Sequence, residues 1–224
     1  MAERYIAIGV KKYPKIMERV KNVREFRLSC PSPDTNHYAD KPTFPVRLRY
    51  YSEDRINPAL ALPKVSSQNR RYIPMEVIDA DVIAGSKLFL IPDISLYHFG
   101  VLTSNVHMAW MRTVCGRLKS DYSYASNVVY NTFPWPEPTA QQRQKIEQTA
   151  QAILDARALY PDSSLADLYD ELTMPPELRK AHRQNDMAVM QAYGFTKGSE
   201  AYKSEAACVA ELMQRYQKLC EEQK

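Results

Sequence analysis

Two short stretches of this chain carry side chains suited to binding chemistry. In Val46-Arg47-Leu48-Arg49-Tyr50-Tyr51, alternation sends Val46, Leu48 and Tyr50 to one face of an expected strand and Arg47, Arg49 and Tyr51 to the other. Two guanidinium groups and a phenol then share a polar face. Arginine bonds bidentately to guanine edges or phosphates, and tyrosine stacks or donates a hydrogen bond. The second stretch, Ser66-Ser67-Gln68-Asn69-Arg70-Arg71-Tyr72, is an unbroken run of hydrogen-bonding side chains. Gln68 and Asn69 match adenine and Arg70 matches guanine, so the run suits base-edge readout. The alternatives are a solvated sheet face and an ordinary polar surface loop. Lys15 and Arg19 on a basic helix face, with Lys87, Arg117 and Lys119, complete the candidate DNA-contacting set.

No catalytic constellation accompanies these groups. With 6 glycines in all, the chain has no G-x-G-x-x-G and no G-x-x-x-x-G-K, so no dinucleotide or triphosphate loop is expected. Asp79 and Asp81 stand two apart without the lysine-bearing strand motif of a nuclease. His98 and His107 have no cysteine or carboxylate at metal spacing, and Cys30, Cys115, Cys208 and Cys220 form no C-x-x-C pair. The expectation is no catalytic residue, no metal ligand and no cofactor on this chain.

Periodicity outlines the elements that must position the candidate residues. Residues 12 to 27 place Ile16, Val20, Val23 and Phe26 along one helical stripe, and Cys30 to Thr43 reads as loop. Short strands are expected at Ala59 to Val65, Arg71 to Val77 and Lys87 to Ile91. One long core helix, capped by Asp93 or Ser95, should reach Val114 and stop at Gly116, leaving Arg117, Lys119, Asp121 and Tyr122 on an exposed connection. Tyr130 to Pro138 alternates prolines and reads as a stiff extended connector. Behind it, Thr139 caps a helix with Ile146, Ala150, Ile153, Leu154 and Ala158 in a stripe. Further helices are expected over Leu165 to Leu172, Pro175 to Tyr193 and Ser199 to about Cys220. The fold class is α+β: a small-sheet recognition domain with a long core helix over 1–136, then an all-α tail domain over 137–224. Residues 1–136 hold 19 Lys and Arg against 12 Asp and Glu, a balance of +7, whereas residues 137–224 hold 11 against 14, a balance of −3. A polyanion partner is therefore expected for the front half. No apolar run reaches the length of about 18 residues needed for a membrane span, so a soluble cytoplasmic protein is expected.

Several segments together resemble the carboxy-terminal part of the MmeI-like family of bacterial DNA adenine methyltransferases, many of them fused restriction-modification enzymes. These are VKNVREFR at 20–27, KVSSQNRRYIP from Lys64, LYHFGVLTSNVHMAWMRTVCGRLKSDYSYASNVVYNTFPWP from Leu96, and LADLYDELTMPPELRKAH from Leu165. The resemblance implies a target-recognition domain followed by a helical C-terminal domain. It also implies double-stranded DNA and a methyltransferase catalytic domain or subunit as partners, with S-adenosylmethionine bound in that separate catalytic domain. The family's glycine-rich cofactor motif and its N-P-P-[YF] motif do not occur here, so the chain is expected to be a fragment, a truncated frame or one part of a split enzyme. A self-standing DNA-binding or assembly protein with an interacting helical tail is the alternative.

Overall fold

The computed structural model describes residues 12–39, 57–82 and 84–222. The chain divides into two compact units, 1–54 and 55–224.

In the first unit, α1 (Pro14–Ser29) opens with Pro14 at a first-turn position, where its missing N–H costs nothing. None of its residues is buried, and Phe26 of the expected stripe is 69% exposed. The expected loop after Cys30 instead contains α2 (Pro33–Ala39). Pro33 presets the first helical φ, and the Ser32 carbonyl accepts the Asn36 N–H at 3.1 Å, which closes the first turn.

The second unit opens with β1 (Ala59–Pro63) and β2 (Val65–Ser66), followed by β3 (Glu76–Ile78) and β4 (Leu88–Pro92). Strand β1 lies between β3 and β4 in an antiparallel sheet, with Leu60 opposite Val77 on one side and Ile91 on the other. The strand expected from Arg71 is confined to Glu76–Ile78, because Tyr72, Ile73 and Met75 are buried in the core outside the ladder.

The single helix expected to reach Val114 is two helices, α3 (Leu96–Leu102) and α4 (Asn105–Val114). The break falls at Thr103-Ser104, where the Ser104 hydroxyl accepts the His107 N–H at 3.4 Å and so caps a new helix. The apolar period runs through the break, which is why the sequence reads as continuous. Gly100 lets α3 approach its neighbours closely: a Cβ there would meet Ile146 Cγ2 at 2.7 Å. Nothing larger than hydrogen fits.

Residues expected to form an exposed connection instead build β5 (Gly116–Leu118) and β6 (Asp121–Ser123). They join β2 in a second antiparallel sheet, ordered β2-β6-β5. Lys64 is where the chain passes between sheets, its N–H donating to the Lys87 carbonyl at 2.9 Å and its carbonyl accepting from Tyr124 N–H at 2.8 Å.

After the short α5 (Ser126–Val129) the proline segment is extended, as its composition requires, but it is packed down. Phe133, Pro134 and Pro136 are buried, and Tyr193 Oη donates to the Pro134 carbonyl at 2.7 Å. Thr139 and Gln142 cap α6 (Ala140–Ala158) reciprocally. Its buried stripe ends on Ala156 and Arg157, whereas Ala158 is exposed. The remaining helices are α7 (Leu165–Leu168), α8 (Pro176–Ala192), α9 (Glu200–Lys203) and α10 (Glu205–Glu222). Helix α7 stops short of Leu172, and the helix expected from Ser199 is interrupted at Ser204, whose hydroxyl accepts from Ala207 N–H at 3.2 Å. Among the described residues no helix is long and apolar enough to cross a membrane.

Candidate nucleic-acid interface

The second sheet brings together two parts of the candidate set that lie about fifty residues apart in sequence. In its register, Ser66 lies opposite Tyr122 and Tyr122 lies opposite Arg117. Cross-strand partners share a sheet face. Tyr122 is buried, and the Arg117 guanidinium stacks over its ring at 4.0 Å while donating to the Ser120 carbonyl at 3.0 Å. The cation is thus held over the sheet while Arg117 stays exposed. Between β5 and β6, Lys119 occupies the left-handed region with φ 57°, a conformation that a side chain adopts at a cost of roughly 1 kcal/mol.

The β2 strand runs toward this turn and ends in the polar loop. Asn69 N–H donates to Ser67 Oγ at 3.3 Å, Arg70 N–H to the Ser67 carbonyl at 3.2 Å, and Gln68 N–H to Asp121 Oδ1 at 3.4 Å. The loop's backbone is therefore bonded to itself and to the hairpin. Among the described residues, the side chains of Gln68, Asn69 and Arg70 engage no hydrogen bond or ion pair, and Gln68 and Asn69 are exposed. A pinned backbone with unengaged amide and guanidinium groups can offer donors and acceptors to a ligand edge at little ordering cost. Arg117 and Lys119 add positive charge beside it.

Lys87 is exposed at the entrance to β4 in the first sheet, beyond Lys64. Lys15 and Arg19 are exposed on α1, in the first compact unit. Arg47, Arg49 and Tyr51 lie outside the described residues. Among the described residues, no three His, Cys, Asp or Glu side chains gather as a metal site.

Sequence reasoning missed the buried polar seam that holds the loop from behind. Tyr72, directly after the polar run, donates to Asp186 Oδ2 of α8 at 2.7 Å. The other oxygen of Asp186 accepts Asn105 N–H at 2.7 Å, at the start of α4. Burial pushes the Asp186 carboxyl up to about 6, although the Tyr72 and Asn105 hydrogen bonds and the nearby Arg71 charge pull it down. The Tyr72 ring stacks on His182 at 4.1 Å, and His182 Nε2 meets Tyr169 Oη at 2.8 Å. Burial, with the Arg157 and Arg71 charges, holds His182 well below its ordinary value, so it stands beside Tyr169 as a neutral imidazole. Arg157 donates to Tyr169 Oη at 3.0 Å and to the Met75 carbonyl at 2.8 Å. One signal was available: Arg157, His182 and Asp186 fall among the positions that α6 and α8 bury.

A family model described as "MmeI, target recognition domain" matches residues 7–137, and another, "MmeI, C-terminal domain", matches 138–223. DNA methyltransferase A of Bacillus subtilis (strain 168) is 35% identical over 212 residues, covering 95% of this chain and 23% of that protein. The solved structure of the Type IIL restriction-modification enzyme MmeI in complex with DNA is 43% identical. It superposes with a TM-score of 0.81 over 93% of this chain and 27% of its own. The chain therefore spans about a quarter of the length of these relatives.

Proposed function

Because this chain belongs to the MmeI family, as its target recognition domain followed by its C-terminal domain, we propose that it is the DNA-recognition module of a restriction-modification methyltransferase. That enzyme is adenine-specific and uses S-adenosylmethionine. The module docks on double-stranded DNA in the cytoplasm and selects the adenine to be methylated. A methyltransferase catalytic domain or subunit binds S-adenosylmethionine and receives the flipped base.

The observation that carries this reading is the loop after β2, with its pinned backbone and its unengaged Gln68, Asn69 and Arg70 side chains beside the cationic β5–β6 turn. Gln68 and Asn69 have the paired donor and acceptor that adenine N7 and N6 require, and Arg70 has the fork that guanine O6 and N7 require. Arg117 and Lys119 supply charge to the phosphate backbone, as do Lys15, Arg19 and Lys87. Arg47, Arg49 and Tyr51 belong to the same DNA-facing set.

In the complete methyltransferase, Gln68→Ala and Arg70→Ala should each relax or shift the methylated sequence at one position, since a bidentate base contact is worth about 1–3 kcal/mol of discrimination. Sequencing the methylated sites of DNA treated with each variant reads this directly. An unchanged motif with less total methylation makes the loop a positioning element only.

A further inference from the structure

The geometry points to a second phosphate-binding site, where Arg71, Arg179 and Arg183 line a narrow crevice with Tyr72. We propose that a backbone phosphate of the bound DNA seats there, so that the helical C-terminal region takes part in DNA binding. The inference rests on the reading of this chain as a DNA-recognition module and extends its footprint beyond the loop and hairpin.

Two of the guanidinium groups are held in place before any ligand arrives. Arg71 Nε donates to Tyr72 Oη at 3.2 Å, which leaves its two terminal nitrogens outside that bond. Arg179 Nη1 donates to Glu171 Oε1 at 2.8 Å and Nη2 to the Glu171 carbonyl, which fixes the fork and leaves Nε outside both bonds. Arg183 follows one helical turn later on α8, exposed and with no partner among the described residues.

Against these cations stand Glu171, already committed to Arg179, and Asp186, which is buried behind Tyr72 and engaged by Tyr72 and Asn105. The crevice thus keeps a positive surplus, and two of its three arginines come from residues 137–224, whose overall balance is acidic. Like charges brought this close are costly unless an anion joins them, and planar guanidinium forks match the oxygens of a phosphate. A DNA phosphate fits better than a free ion because Arg71 directly follows Arg70 of the reading loop. DNA seated on that loop lies within reach of the crevice.

The test uses the complete methyltransferase and the variants Arg183→Gln and Arg179→Gln. Arg183→Gln breaks no described contact, so its fold is not at issue; Arg179→Gln gives up the Glu171 bonds, and circular dichroism verifies that both variants fold. DNA affinity measured against salt should fall several-fold for each variant, with the slope of log affinity on log salt reduced by about one. The loss should be equal on cognate duplex and on duplex altered in the recognition sequence, and the methylated motif should stay the same. Arg117→Ala serves as the reference. If Arg117→Ala weakens binding and both crevice variants leave affinity and slope unchanged, the second site is wrong while the recognition reading stands. If none of the three changes DNA binding, the recognition reading itself fails. A shifted motif in Arg183→Gln overturns the proposal in favour of base reading. Titration with inorganic phosphate that binds the parent but not Arg183→Gln, with DNA affinity untouched, overturns it in favour of a free anion.

Discussion

The two small sheets of this protein have the same strand count and antiparallel pairing but opposite surroundings. In the sheet built on β1, the residues from Ala59 to Leu62 are all buried, including Leu60 at 0% exposure, so both faces of the central strand are packed. In the sheet built on β6, only Tyr122 of the strand is buried, and every residue of β5 is exposed. The first is a wall. The second is a platform, tacked down by Tyr122 and fringed by Arg117, Lys119 and the Gln68–Arg70 loop. The candidate DNA-contacting side chains sit on the more exposed of the two sheets.

The sharpest way to break this comparison is a matched pair of leucines. Leu60→Ala should lower stability by about 2–5 kcal/mol through lost burial and a residual cavity. Leu118→Ala, at a position 58% exposed, should change it by less than about 0.5 kcal/mol. Urea denaturation of both variants decides it, and equal losses would remove the distinction between wall and platform.

A second test probes the seam that anchors the platform's loop. The Asp186 carboxyl titrates at about 6 in the folded chain, above its ordinary value near 3.8. A raised folded value means that the folded state binds the proton more tightly. Its contribution to stability is complete below about pH 4 and is lost as pH rises through about 6, an amount on the order of 3 kcal/mol. Asp186→Asn, which keeps the shape without the charge, should cancel that loss. The parent-minus-variant difference in unfolding free energy should therefore fall between pH 4 and pH 7, and a flat difference would mean that the carboxylate carries no desolvation penalty.

Much of this arrangement can be read from the sequence, and the rest depends on pairings remote in the chain. Thr139 and Gln142, three apart ahead of an apolar stripe, announce α6, and Pro176 with Gly194 bracket α8. The β5–β6 hairpin escapes because its strands are short and its turn holds Lys119-Ser120 rather than an Asn-Gly signal. Pairing of Val65 with Ser123 is not encoded locally. Without it, nothing in the sequence places Gln68 beside Arg117. The buried Arg157 escapes for another reason. Periodicity treats a charged residue as solvent-facing, and it takes Tyr169, the Met75 carbonyl and the Glu76 carboxylate at 3.9 Å, none of them a helical neighbour, to make its burial tolerable.

Smaller effects sharpen the platform itself. Arg117→Ala should leave stability within about 0.5 kcal/mol while weakening DNA binding by the complete enzyme and lowering its salt slope by about one. Lys119→Gly should act in opposite directions on the two properties. Relief of the left-handed backbone should raise stability by about 0.5 kcal/mol, while loss of the ammonium weakens DNA binding slightly. Melting curves and a salt titration read both, and a drop in melting temperature would mean that the Lys119 side chain has a structural duty.

The hydrogen bond from Tyr72 to Asp186 spans 114 positions and crosses the point where one family domain gives way to the next. In hereditary terms, these two domains are not independent cassettes. A recombinant that takes residues up to 137 from one parent and the remainder from another inherits a phenol and a carboxylate of different descent. Unless both parents carry the same pair, the hybrid buries one polar group without its mate. An exchanged segment that keeps this pair of one descent must carry Tyr72 and Asp186 together, from the loop after β2 through α8.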